Sequence, residues 1–127
     1  MSKARFGTAI NCIDGRAQNP VREWLLANHS LDYVDMVTEP GADRVLFARV
    51  PEGVQAIKSK VLVSVKNHQS SVVAVVGHHD CAANPVSEKE HLRQIDSAVL
   101  LVRSWGLPVV VVGLWVNENW EVECVVP

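Results

Sequence analysis

Residues 72–81 read VVAVVGHHDC. The first five are apolar, and this run predicts a strand buried on both faces, as inner strands of a parallel sheet are. Directly after it come His78 and Cys81, which offer a nitrogen and a sulfur of the kind that binds metal ions. The stretch therefore predicts the centre of an α/β sheet, with a candidate site at the carboxyl end of its middle strand.

The segments on either side alternate between strand-like and helix-like patterns. Strands are predicted at residues 6–11, 33–37, 72–76 and 109–114, and helices begin at Asn19-Pro20, at Pro51 and after Ser87. Residues 120–125 alternate in polarity, which predicts an antiparallel edge strand. Because β-α-β crossovers are right-handed, this pattern predicts an open, mostly parallel α/β sheet of order 2-1-3-4, with antiparallel edge strand 5 and helices on both faces.

Composition narrows the range of functions. The 127 residues are expected to form a single domain, residues 1–127, and the net charge of −2 gives no reason to expect nucleic acid or a membrane surface as a partner. No apolar run is long enough to cross a bilayer, and the N-terminal residues do not resemble a signal peptide. Three cysteines without the spacing of a disulfide framework predict reduced thiols in a cytoplasmic protein.

A second motif follows the first predicted strand, where residues 11–16 read NCIDGR. In the predicted order, strands 1 and 3 are neighbours at the point where the sheet reverses direction, and ligands of such sheets bind at that point. The topology therefore predicts that Cys12 meets His78 and Cys81. Two cysteines and one histidine with an open fourth position form a recognised catalytic zinc site, so we expect one Zn²⁺ per chain.

Asp14 and Arg16 would lie beside this ion if the backbone of residues 12–16 stays extended. Asp14 could accept a hydrogen bond from a metal-bound oxygen, and Arg16 could keep Asp14 ionised through a bidentate pair. Alternatively, Asp14 could itself close the fourth position. Because two thiolates cancel the charge of the ion, a bound water should be acidified less than at a three-histidine site, and activity should rise toward alkaline pH.

Other readings of these residues fit less well. A lone buried cysteine or histidine is most often a packing residue, but three candidates at two neighbouring strand ends favour a metal. A cysteine hydrolase with Cys81 as nucleophile, His78 as base and Asp14 as partner leaves Cys12 without a role. The sequence has no glycine-rich phosphate-binding motif and no C-x-x-C redox motif.

The remaining histidines, tryptophans and cysteine are expected to be structural. Cys124 is predicted to pack in the core, and His79 is predicted to be solvated, with a proton relay as the alternative. Asp80 is expected to cap its loop. We expect three histidines at the surface or at helix ends and four tryptophans in the core or an interface: His29, His68, His91, Trp24, Trp105, Trp115 and Trp120.

The motifs Cys12-x-Asp14-x-Arg16 and Gly77-His78-x-x-Cys81 resemble those of the β-class carbonic anhydrases. The order of strands and helices is similar over most of the chain. The resemblance implies zinc on the two cysteines and the histidine, with Asp14 and Arg16 as a catalytic dyad. It also implies reversible hydration of carbon dioxide to bicarbonate by hydroxide on the zinc, in a homodimer or a higher homo-oligomer.

Several positions differ from the pattern of that family. Gly15 stands where serine is usual, Ala82 and Ala83 replace glycines, and residues 38–43 replace a turn that carries arginine and asparagine. We expect these differences to affect the identity of the substrate and its turnover more than the binding of zinc. Relatives of this fold hydrolyse carbon disulfide and carbonyl sulfide, so the alternatives are a zinc hydrolase of another small electrophile and a non-catalytic zinc-binding relative.

Overall fold

The structure of the protein, a computed structural model, describes residues 3–127. Its strands are β1 (Phe6–Asn11), β2 (Tyr33–Thr38), β3 (Val72–His78), β4 (Val110–Val116) and β5 (Val122–Val126). Its α-helices are α1 (Gln18–Asn28), α2 (Ala42–Ala48), α3 (Pro51–His68) and α4 (Glu88–Arg103), and a 3-10 turn at Gly15–Ala17 precedes α1.

The five strands form one sheet of order β2-β1-β3-β4-β5. All neighbouring pairs are parallel except β4 and β5, which are antiparallel, so the predicted topology is confirmed. Ile10 of β1 lies opposite Val75 of β3. This register places Cys12 and His78 at the same edge of the sheet, where the two strands end.

Helices cover both faces of the sheet, as predicted. Helices α2, α3 and α4 pack on one face around buried residues such as Leu46, Ile57 and Val99. Helix α1 covers the other face with Val21 and Leu25. Every position of β3 is buried because this strand lies between the two layers. Within residues 3–127, none of the helices combines the length and the apolar character needed to cross a membrane.

The structure differs from the sequence prediction in one helix and in several strand boundaries. No helix was predicted between residues 38 and 51, but α2 occupies Ala42–Ala48, between Gly41 and Arg49 in left-handed conformations. A seven-residue helix has only about two turns, too few to show a clear period. Strand β3 continues through His78, so this residue lies on the strand and not in the loop. Strand β5 begins at Val122 and not at residue 120.

Gly77 in β3 lies directly against α2 and α4. A Cβ atom there would lie 2.6 Å from Asp43 Oδ2 and 2.9 Å from Ile95 Cδ1. We expect Gly77→Ala to lower the free energy of unfolding by about 1–3 kcal/mol, because over-packing displaces the neighbouring groups. The control is Gly15→Ala, since among residues 3–127 no atom beyond Gly15 and its two chain neighbours lies within 4 Å of its Cβ position. Urea denaturation measures both variants, and equal losses of stability would contradict this account of the packing.

Candidate metal centre

The carboxyl ends of β1 and β3 bring Cys12, His78 and Cys81 together in a buried cluster. The two sulfur atoms are 3.9 Å apart, and the ligand atoms of all three residues lie within 4.8 Å of one another. Two sulfurs that share a tetrahedral zinc ion, each at about 2.3 Å from the metal, lie about 3.8 Å apart. The spacing of the cluster therefore fits a single zinc ion.

Local hydrogen bonds fix the loop that carries Cys12. The Cys12 backbone N–H donates to Asn11 Oδ1 at 2.8 Å, and Asn11 Nδ2 donates to the Ala17 carbonyl at 3.1 Å. Gln18 Nε2 donates to the Cys12 carbonyl at 2.6 Å. The thiol is thus held at the strand end by the first residues of the following helix.

The orientation of the His78 ring suits a metal ligand. His78 Nδ1 lies 2.7 Å from the His79 carbonyl oxygen, which can only accept, so Nδ1 carries the proton. Nε2 then presents a lone pair, and this buried atom has no hydrogen-bond partner among residues 3–127. A backbone carbonyl on one ring nitrogen and a free lone pair on the other is the usual arrangement of a metal-binding histidine.

The charges of the cluster also favour a cation. The hydrogen bond from the Cys81 thiol is the largest factor lowering the pKa of Cys12, to about 3, and the contact with His78 adds to it. The same bond raises the pKa of Cys81. Burial acts to lower the pKa of His78, but the nearby Cys12 sulfur, the His79 carbonyl and Asp14 together outweigh it and raise the pKa. The two sulfurs therefore retain one proton, which a divalent cation would displace.

Asp14 lies next to the cluster and is bound by Arg16. Arg16 Nε donates to Asp14 Oδ1 at 3.1 Å and Nη2 donates to Oδ2 at 2.7 Å, which is a bidentate pair. An extended backbone was the condition for placing Asp14 and Arg16 beside the ion, but the chain turns here. The Asp14 side chain caps the 3-10 turn Gly15–Ala17 by accepting from the Arg16 backbone N–H. Asp14 Oδ2 lies 4.0 Å from His78 Nε2, whereas an oxygen sharing zinc with that nitrogen would lie about 3.3 Å away.

Arg16 has two further partners that sequence reasoning did not identify. Arg16 Nη1 donates to Asp80 Oδ2 at 3.3 Å and Nη2 donates to the Asp80 carbonyl at 3.2 Å. The guanidinium also lies over the indole ring of Trp120, 4.4 Å from its centroid. Asp80 was expected to cap its loop, and no sequence signal connects Arg16 with a residue more than a hundred positions away.

The hydrogen bonds from Arg16 lower the pKa of Asp14 to about 2. We expect Arg16→Gln to return this pKa toward the ordinary value of about 3.8 in metal-free protein. Since the folded-state pKa is depressed, the pair stabilises the fold above the unfolded-state pKa, and this contribution is lost as pH falls toward 2. Carbon-13 NMR titration of the Asp14 carboxyl measures the shift, and an unchanged pKa would contradict the role of Arg16.

A buried polar network lies behind the cluster and was not predicted. His91 Nδ1 lies 2.6 Å from Asp43 Oδ2, and Asn84 Nδ2 donates to Asp43 Oδ1 at 3.1 Å and to Gln94 Oε1 at 2.7 Å. The Asn84 backbone N–H also donates to the Cys81 carbonyl at 3.2 Å. The network therefore connects α2 and α4 to the loop that carries Cys81.

Two predictions for single residues are wrong. His91 was expected at the surface but is fully buried, because Asp43 provides a partner for its ring. Cys124 was expected in the core but is exposed, because β5 is a short edge strand. His79 is exposed, as expected. Trp115 is buried, and the other three tryptophans are partly buried: Trp24, Trp105 and Trp120.

Comparison with known proteins agrees with the fold and the motifs. A family model described as "Putative carbonic anhydrase" matches residues 2–126. A tetrameric β-carbonic anhydrase from the filamentous ascomycete Sordaria macrospora has a similar fold, with a TM-score of 0.55 at 10% sequence identity over 97% of this chain and 81% of that one. No curated protein sequence matches at a significant level. From the match over nearly its whole length, the chain belongs to this carbonic anhydrase family.

Proposed function

We propose that the protein is a zinc-dependent hydro-lyase that interconverts carbon dioxide and bicarbonate. The observation that carries this proposal is the buried cluster of two sulfurs and one unpartnered imidazole nitrogen, with the Asp14–Arg16 pair beside it. Cys12, His78 and Cys81 would hold one Zn²⁺, and Asp14 and Arg16 would be the catalytic dyad. When bound, the zinc would act as a Lewis acid that lowers the pKa of water.

The second coordination shell supports this assignment. The His79 carbonyl fixes the tautomer of His78, and the side chains of Asn11 and Gln18 fix the position of Cys12 by hydrogen bonds to its backbone. Three protein ligands would leave a zinc ion free to bind a fourth ligand, which is the arrangement of catalytic zinc sites. Asp14 Oδ2 lies 4.0 Å from His78 Nε2 and would be a neighbour of that ligand.

Asp14 would act as a hydrogen-bond acceptor for this fourth ligand. Its pKa of about 2 keeps it ionised at neutral pH, so it has no proton to donate. Arg16 donates to Asp14 Oδ1 from both its backbone N–H and Nε, and to Oδ2 from Nη2 alone, which leaves one lone pair of Oδ2 for a reacting group. Asp14, held by Arg16, would therefore accept the proton of a nucleophile in a hydrogen bond. This bond would keep the lone pair of the nucleophile directed at the substrate.

The surroundings of the site suit a small uncharged substrate. A groove lined by His79, Asp80, Cys81, Val86 and Glu88 borders the cluster at Cys81. Ile13, next to Cys12, and Val86 expose apolar side chains at this edge of the molecule. An uncharged molecule such as carbon dioxide would pass these apolar groups without the cost of desolvating a charge. We also propose that the protein forms a homo-oligomer, since the Sordaria macrospora enzyme of similar fold is tetrameric.

Stopped-flow measurement of carbon dioxide hydration by the zinc-loaded protein tests the proposed reaction. We expect hydration well above the buffer rate, reduced by about 10²-fold or more in Asp14→Asn, because the amide is uncharged and has one acceptor oxygen, for which Arg16 competes, in place of two. Hydrolysis of carbonyl sulfide or carbon disulfide without hydration would instead reassign the substrate. Stoichiometric zinc with none of these activities would indicate a non-catalytic member of the family.

A further inference from the structure

Trp120 lies in the turn between β4 and β5, in a backbone conformation that a bulky residue rarely adopts. Its φ angle is +59°, in the left-handed region. The turn is closed by Asn117, whose carbonyl accepts from the Trp120 N–H at 2.9 Å and whose Oδ1 accepts from the N–H groups of Asn119 and Glu121 at 2.9 and 3.1 Å. A left-handed conformation costs about 1 kcal/mol or more for such a residue, so a compensating contact is expected.

The compensating contact is with Arg16. The guanidinium carbon lies 4.4 Å from the centroid of the indole ring, within the range of a cation–π interaction. The same indole lies 6.2 Å from the His78 ring, so the turn reaches the metal cluster itself. The strained turn therefore places the face of the Trp120 indole against the guanidinium of Arg16, the cation of the proposed dyad.

Arg16 has two carboxylates within reach, so ion pairing alone does not fix its orientation. Its side chain is 49% exposed, and it bonds both Asp14, at 20% exposure, and Asp80, at 70% exposure. The outer pair with Asp80 is exposed to solvent and contributes little to holding the guanidinium in one place. The flat face of Trp120 restricts the plane of the guanidinium, and so keeps Nε and Nη2 directed at the two oxygens of Asp14.

We propose that Trp120 is a positioning residue that keeps Asp14 out of the fourth metal position by holding Arg16 on the Asp14 carboxylate. Asp14 Oδ2 lies 4.0 Å from His78 Nε2, less than about 1 Å beyond the distance at which both would bind one zinc ion. Once Arg16 turns toward Asp80, the freed carboxylate can complete that approach. The proposal rests on the proposed zinc site, but the restraint that Trp120 places on Arg16 does not.

Zinc affinity tests the proposal, because the expected change is opposite to that of simple damage. In Trp120→Leu, Asp14 becomes a fourth ligand, so we expect zinc to bind about tenfold more tightly. The gain should disappear in the double variant Trp120→Leu/Asp14→Asn. Trp120→Phe, which keeps an aromatic face, and Trp24→Leu, a partly buried tryptophan on α1, should bind zinc like the wild type. Unchanged or weaker binding in Trp120→Leu would overturn the proposal.

A second measurement on metal-free protein separates this proposal from the zinc site. Proton exchange of the Arg16 Nε–H, observed by nitrogen-15 NMR, should be about tenfold faster in Trp120→Leu and unchanged in Trp24→Leu. Faster exchange in a protein that binds no zinc would reject the proposed function and leave the role of Trp120 toward Arg16 intact. Exchange that is the same in Trp120→Leu and in the wild type would reject the role of Trp120.

Discussion

Cys81→Ser is expected to reduce bound zinc from about one ion per chain to less than about a tenth, and to abolish hydration of carbon dioxide. The reason is the loss of one of two thiolates, which are the ligands that neutralise the ion and contribute most to its retention. Metal analysis after gel filtration, together with stopped-flow assay of the same sample, measures both quantities.

Cys124→Ser is the matched control for this prediction. Cys124 is the third free cysteine but is exposed on β5, outside the cluster. Zinc and activity should be unchanged in this variant. Zinc retained at one per chain in Cys81→Ser would show that the ion binds elsewhere, and activity retained without zinc would reject both the catalytic and the structural zinc roles.

Asp43→Ala is expected to lower the free energy of unfolding by about 3–5 kcal/mol. The Asp43 side chain is only 2% exposed and accepts hydrogen bonds from the Arg44 backbone and from Asn84, in addition to its pairing with His91. Alanine would leave His91 Nδ1 and the Arg44 N–H buried or half-buried without an acceptor. An unsatisfied buried polar group costs about 1–3 kcal/mol.

The matched control for this substitution is Asp96→Ala, which removes an exposed carboxylate from α4. An exposed substitution of this kind usually changes stability by no more than about 0.5 kcal/mol. Thermal and urea unfolding of the metal-free proteins compare the two variants without interference from bound zinc. Similar stabilities of Asp43→Ala and Asp96→Ala would contradict the structural importance of the buried network.

The sheet could be predicted from sequence because its signals are local and repeat along the chain. The apolar run at residues 72–76 reports burial on both faces, and the alternation of strands and helices allows few right-handed topologies. The same topology brings the ends of β1 and β3 together, which is why Cys12 and His78 could be paired across 78 − 12 = 66 residues. The Asp14–Arg16 contact is local as well, since its partners are two positions apart in the sequence.

The features that were missed depend on individual side-chain contacts, both distant and local. His91 lies on a helix whose pattern does not reveal the buried partner Asp43, 48 residues before it in the sequence. Trp120 was placed at the start of a strand because its neighbours alternate in polarity, but the Asn117 side chain closes a turn there. Such side-chain contacts decide local structure without leaving a periodic signal.

The central claim is that Cys12, His78 and Cys81 bind one zinc ion. X-ray absorption at the zinc edge of the loaded protein tests it most directly. The account predicts two sulfur neighbours at about 2.3 Å and nitrogen or oxygen neighbours at about 2.0 Å, and loss of this bound zinc in Cys12→Ser. A shell of nitrogen and oxygen alone, or two sulfurs that persist in Cys12→Ser, would contradict it.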